Sequence, residues 1–104
     1  MTPFGISEKS YKAILASFDR YPQIEEAIVF GSRAKGNYKQ GSDIDLAIKG
    51  KECTQLLAME LGGKLNEELP VPYHVDVMDY SSLEHRELKE HIDRIGVVFY
   101  KREK

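Results

Sequence analysis

The stretch GSRAKGNYKQGSDIDLAI, Gly31 to Ile48, decides how this chain is read. It starts where the apolar run Ala27-Ile28-Val29-Phe30 ends, a run of the right length for a short buried strand. At its far end Asp43 to Ile48 alternates in character. Side chains alternate across a strand, so Ile44, Leu46 and Ile48 share one face while Asp43, Asp45 and Ala47 share the other. Between the two strands, Arg33-Ala34-Lys35 has room for one helical turn before Gly36 breaks it, and Asn37 to Ser42 reads as a polar loop. So short a connection leaves no room for a parallel crossover containing a full helix, so the two strands are expected to run antiparallel. That places Gly31-Ser32, at the end of one strand, beside Asp43 and Asp45 at the start of the next.

Working outward, Tyr11, Ile14, Leu15 and Phe18 recur at helical spacing behind Ser7, a suitable N-cap, which predicts an amphipathic helix from about Ser7 to Arg20, ending before Pro22. A further helix is expected from Thr54 to about Glu68, with Leu57, Leu61 and Leu65 inward and Gly62-Gly63 weakening its middle by about 1 kcal/mol each. Val71 to Met78 alternates and predicts a third strand, with His74, Asp76 and Met78 on one side and Tyr73, Val75 and Val77 on the other. Ser81-Ser82-Leu83-Glu84 has capping-box spacing, and Leu88, Ile92 and Ile95 carry an apolar stripe to Gly96. Val97 to Tyr100 is a last short strand before a charged tail. The fold class is therefore α/β (α+β): a single domain, 1–104, with a mixed sheet of about four strands and helices packed on it. The second and third strands, joined through a helix, are expected to be parallel neighbours with a right-handed connection.

Composition narrows the function. The chain is 41% hydrophobic and 31% charged, ordinary for a folded domain. Its 15 Lys and Arg against 17 Asp and Glu give a formal charge of -2, with cations scattered among anions. Binding a polynucleotide through counterion release needs clustered cations, so no nucleic-acid partner is expected. The longest apolar runs are far too short to cross a bilayer and no apolar signal core opens the sequence, so no membrane association and a cytoplasmic location are expected. The lone Cys53 has no CxxC or Cys/His partner spacing and reads as an incidental thiol near a helix start.

The chemistry lies in the acidic pair. Asp43 and Asp45 project from one strand face, close enough to share a hard cation. By itself Asp-x-Asp is common and most often marks a solvated strand edge. Asp76, on a neighbouring strand with matching parity, joins the same face, and three carboxylates without a cation repel one another by several tenths to a few kcal/mol. Mg²⁺ relieves such repulsion and completes its octahedron with waters and substrate phosphates. Gly31 lets the backbone approach a phosphate and Ser32 adds a hydroxyl donor, with Arg33 and Lys35 as candidate cations beside it.

Read together, the residues form G-S-x10-D-x-D, and this pattern resembles the signature of the DNA polymerase β-like nucleotidyltransferase superfamily. The similarity extends to the strand before Gly31, the loop length, Asp76 in HVDVMD and the terminal HIDRIGVVFY, and so covers nearly the whole chain. Within that superfamily the chain looks like the minimal nucleotidyltransferases, the MntA-like antitoxin group. The resemblance implies that Gly31 and Ser32 hold the triphosphate of ATP, that Asp43 and Asp45 bridge two Mg²⁺ ions, and that Asp76 completes the site as ligand or general base. It also implies transfer of AMP to a tyrosine of a HEPN-type toxin partner, with a homo- or hetero-oligomeric assembly open. Lys35 stands where the group more often has arginine, so a bidentate phosphate contact there is replaced by a point charge. Two other readings compete: a non-catalytic antitoxin acting by contact with the HEPN partner, and a transferase acting on a small-molecule acceptor.

The remaining polar residues are given modest roles. His74 shares the face of Asp76 and reads as a polar strand residue near the site. His85 and His91 read as surface residues of the final helix, and Asp79 as a turn residue. Tyr38 is balanced between flanking a nucleotide and packing its own loop.

Overall fold

A computed structural model describes residues 4–68 and 72–103. The elements follow the order α1 (Glu8–Ser17), β1 (Glu26–Phe30), α2 (Ser32–Lys35), β2 (Ile44–Lys49), α3 (Gln55–Glu67), β3 (Val75–Asp79), α4 (Arg86–Ile95) and β4 (Val97–Lys101), with 3-10 turns at Phe18–Arg20 and Tyr80–Ser82. The first helix begins as its sequence dictates: the Ser7 hydroxyl accepts the amide of Ser10. Thr54 caps α3 in the same way through the amide of Leu57, offsetting one of the amides a helix start leaves unpaired.

The four strands form one sheet in the order β3-β2-β1-β4. β1 pairs antiparallel with both β2 and β4, and β2 pairs parallel with β3, as the connection lengths require. One face carries Ala27, Val29, Ile44, Leu46, Ile48 and Val75, and α1 and α3 close over it with Ile14, Phe18, Leu61 and Leu65 to make the main core. A Cβ on Gly62 would stand in ordinary contact with Val77, so the packing of α3 on β3 has room for a methyl group there. On the other face Ile28, Phe30 and Ala47 are covered by Ile92 of α4, forming a second, smaller cluster. Ala47 is fully buried there, in a cluster that Met78, Tyr80, Leu83 and Leu88 also pack against.

Two expectations fail near β3. The strand starts at Val75 and runs on to Asp79; residues 72 and 73 bend, and Val71 lies outside the described residues. The spacing Ser81 to Glu84 does not cap a helix. The Ser81 and Ser82 hydroxyls instead donate to the buried carboxylate of Asp79, at 3.1 and 2.6 Å, and hold a 3-10 turn. His85 takes over as N-cap of α4, its Nδ1 accepting the amide of Leu88 at 3.0 Å. A buried carboxylate needs hydrogen-bond donors, and two adjacent hydroxyls satisfy it better than they would serve a helix end.

Beyond β4, Arg102 is no mere tail charge. Its guanidinium donates to the carbonyls of Phe18, Tyr21 and Ile24, tying the last strand to the end of α1. No described helix is long and apolar enough to cross a membrane.

Candidate functional site

The site is assembled by strand register. In the parallel pair β2–β3, Asp45 stands directly opposite Asp76, and in the antiparallel pair β1–β2 it stands opposite Phe30, the residue before Gly31. Directly opposed residues project to the same side of a sheet. Asp43, just before β2, has the parity of Asp45. The three aspartates therefore lie on the face that α4 covers only in part, with Asp43 and Asp76 exposed and Asp45 half-buried.

Electrostatics records this convergence. The Asp45 carboxyl is pushed up to about 6, first by burial and then by the charges of Asp76 and Asp43, with His74 pulling weakly the other way. His74 sits 3.2 Å from an oxygen of Asp76 and both are exposed, so it is a polar neighbour of the acidic face. An anion held where its neighbours disfavour it is relieved by a cation, and the chemistry of this donor set, carboxylate oxygens only, fits Mg²⁺. Among the described residues no group of three or more His, Cys, Asp or Glu is gathered closely enough to hold a metal ion by itself. Mg²⁺ sites of this kind commonly use one or two carboxylates and complete the shell with water and substrate phosphate oxygens.

Gly31 faces this cluster across a gap that only glycine leaves open. Its φ of 73° lies where other residues are strained, and a Cβ there would come within 2.5 Å of Asp45 Oδ2. Ser32 opens α2 immediately afterwards and is partly exposed. The glycine's amide meets the ring of His91, donating to Nε2 at 3.2 Å. His91, read from sequence as a surface residue, is partly buried and lies edge-on to Phe30 with ring centroids 6.1 Å apart. Its spacing carried no signal, because the contact spans sixty residues of chain.

The two cations of the turn part company. Arg33 does not face the cleft: it is 1% exposed, and its guanidinium donates to the carbonyls of Phe4 at 2.8 Å and Ser42 at 2.8 and 3.2 Å, with a longer bond to Gln40. The rings of Tyr38 and Tyr73 flank it, 4.9 and 4.8 Å from the guanidinium carbon. The expected phosphate contact is thus replaced by a structural one. In the loop Asn37 to Ser42 the carbonyls of Gln40 and Ser42 find their donors in this buried fork. Tyr38 is accordingly a packing residue, and its ring fills the space where a Cβ on Gly5 would lie. Lys35 is exposed at the end of α2.

The other acidic and thiol groups stand apart. Asp79 is the last residue of β3, on the opposite face to Asp76, and is buried among the seryl hydroxyls described above. Cys53 is buried, donates to the Gln23 carbonyl at 3.4 Å, and has its thiol pushed up to about 11 by burial and by Asp79 and Glu25. A thiol so disfavoured as thiolate is not a nucleophile.

This chain is similar to several known proteins. A Haemophilus influenzae protein named "Probable protein adenylyltransferase MntA" is 36% identical over 75 residues, which span 72% of this chain and 65% of that protein's length. A crystal structure of a toxin-antitoxin with AMP-PNP superposes with a TM-score of 0.72 at 24% identity, covering 88% of this chain and 73% of its counterpart. The structure of a tri-AMPylated Shewanella oneidensis HEPN toxin in complex with MNT antitoxin superposes at 0.66 and 22% identity, covering 89% and 71%. At these identities the superpositions establish the fold. The family description "Polymerase beta, Nucleotidyltransferase" matches residues 12–104, a span holding the Gly31 turn and all three aspartates, and this chain belongs to that family.

Proposed function

We propose that this chain is a Mg²⁺-dependent nucleotidyltransferase that moves AMP from ATP to a hydroxyl of a partner protein, and that the partner is a HEPN-type toxin which it neutralises as an antitoxin. The observation that carries this reading is the lateral pairing of Asp45 with Asp76 beside Asp43, opposite a glycine turn whose missing Cβ keeps the gap open. The names borne by the similar proteins support the same reaction and the same kind of partner.

Gly31 and Ser32 would receive the triphosphate, the first by close backbone approach and the second through its hydroxyl. Asp43 and Asp45 would hold Mg²⁺, with Asp76 as a further ligand or as the base. When bound, two such ions stabilise the attacking and leaving oxygens of an in-line displacement. The acceptor oxygen forms a bond to the α-phosphorus, the bond from that phosphorus to the bridging oxygen breaks, and pyrophosphate leaves. Asp76, which is exposed, would take the acceptor's proton. Lys35 remains a candidate point charge for the departing phosphates, whereas Arg33 serves the site by holding the loop that precedes Asp43.

The test is to incubate the chain with its HEPN partner, ATP and Mg²⁺ and to weigh the partner intact. Addition of AMP is expected, and Asp43→Asn is expected to slow it by at least about a hundredfold. An unmodified partner at full complex formation would rule the transfer out. A second reading, neutralisation by contact alone, draws on β4: it is an edge strand, and Val97 and Val98 are 42% and 50% exposed. Full neutralisation by Asp43→Asn without any AMP on the partner would favour it.

A further inference from the structure

We propose that His91 is a positioning residue of this site, a clamp that holds the glycine turn in its nucleotide-receiving conformation through the Gly31 amide. This inference rests on the nucleotide-binding reading of Gly31 above and assigns a role to a residue that the reading leaves unused.

Gly31 meets two side chains of the site. At its α-carbon, Asp45 Oδ2 stands 2.5 Å from where a Cβ would be, so the turn and the carboxylate are in close apposition. At its amide, Gly31 is tied to His91 Nε2. With φ 73° and ψ −152°, the residue occupies a backbone region that a free glycine leaves readily, so some external contact must select it. The amide bond to His91 is such a contact. Gly31's carbonyl is already engaged by the amide of Lys35 in the first turn of α2, so the residue is fixed at both its polar atoms.

The histidine is itself held rigidly. Its ring meets Phe30 edge-on, at an interplanar angle of 79°, and the next residue, Ile92, is buried against Ile28, Phe30 and Ala47. α4 therefore docks on the sheet through Ile92 and presents His91 to the turn as part of the same contact. Acceptance at Nε2 requires the tautomer with its proton on Nδ1. Nucleotide affinity gained from a preorganised turn would thus depend on a residue far from the phosphate cradle in sequence, acting through Gly31 and touching no substrate.

The test compares wild type with His91→Leu, which keeps bulk and removes the acceptor, and His91→Gln, whose side-chain oxygen reaches about as far as Nε2. Two readouts are taken on the full chain. In ¹⁵N-labelled protein without nucleotide, the His91 ring is expected as the Nδ1–H tautomer, and the Gly31 amide is expected to exchange at least about tenfold faster in His91→Leu. With Mg²⁺ and a fluorescent ATP analogue, His91→Leu is expected to bind about tenfold more weakly, the fold-change of one lost hydrogen bond, and His91→Gln within about threefold of wild type. An Nε2–H tautomer, or wild-type affinity in His91→Leu, would overturn the clamp while leaving the nucleotide reading intact. A wild-type protein that binds no Mg-nucleotide would overturn both, whatever the exchange data show.

Discussion

On the face of the sheet beneath α1 and α3, Ile44, Leu46, Ile48 and Val29 are wholly buried in the main apolar cluster, with the carboxylate of Asp79 buried at its margin beside Ile48. Across the same strands, beneath α4, Ile28, Phe30 and Ala47 are covered, while Asp43 and Asp76 are exposed and Asp45 is half-buried. The strands are shared, so the contrast arises from what each face is given to pack against. Two helices seal the first face and one short helix covers part of the second. The difference shows how a small domain keeps a charged site without surrendering its core: one face supplies stability, and the other spends some of it on carboxylates that repel.

Substitutions on each face should separate these roles. The largest effect is expected on the sealed face. Leu61→Ala removes a fully buried side chain from α3 and is expected to lower unfolding free energy by about 2–5 kcal/mol in urea titration. If the faces are independent, the Kd for Mg-nucleotide of the still-folded protein should remain near wild type. A parallel loss of affinity would mean that the core tunes the site.

Arg33 belongs structurally to the sealed side although it lies within the site motif. Arg33→Lys is expected to cost about 2 kcal/mol, because a single ammonium cannot replace the fork that serves Phe4, Gln40 and Ser42. Were Arg33 a phosphate ligand instead, the same substitution would leave the urea midpoint unchanged and weaken nucleotide binding alone.

The opposite sign is expected for Asp45. Its folded carboxyl titrates near 6 against an ordinary value of 3.8, so between those pH values the folded state holds more protons than the unfolded one. Stability is therefore lost as pH rises through that window, and the penalty is full above it. Asp45→Asn should stabilise the metal-free protein by about 1 kcal/mol above pH 6, after allowance for solvent screening of a half-exposed group, and by nothing below about pH 4. Thermal melts at pH 8 and pH 4 would show this, and equal shifts at both would mean that the aspartates do not interact. Wild type should also gain melting temperature from Mg²⁺ with nucleotide, a gain that Asp45→Asn should lose.

The smallest effect is expected at Lys35, exposed beyond the turn. Lys35→Ala should change stability by no more than about 0.5 kcal/mol. A several-fold weakening of nucleotide affinity that fades at high salt would identify it as the site's point charge.

Much of this was legible in the order of residues. The alternation in Asp43–Ile48 fixed which face is acidic, and connection length fixed antiparallel β1–β2 against parallel β2–β3. Together they brought Asp45 beside Asp76, since strand parity and register are local rules applied twice. Helix starts at Ser7 and Thr54 were legible for the same reason: a cap acts on its own next turn. The start of α4 was not. Ser81 and Ser82 have the spacing of a cap, but Asp79 claims their hydroxyls, and the strength of that claim depends on how deeply Asp79 is buried.

Sequence alone therefore determined the strand faces, the sheet pairing and the glycine–aspartate motif, because each follows from periods of two or four residues or from a connection's length. Only the tertiary structure decided that Arg33 is buried as a loop anchor, that His91 meets the Gly31 amide and that Arg102 fastens the last strand to α1. Those roles depend on which unpaired carbonyl or amide comes within reach of a long or aromatic polar side chain after the helices have docked. Distances along the chain carry no trace of that meeting.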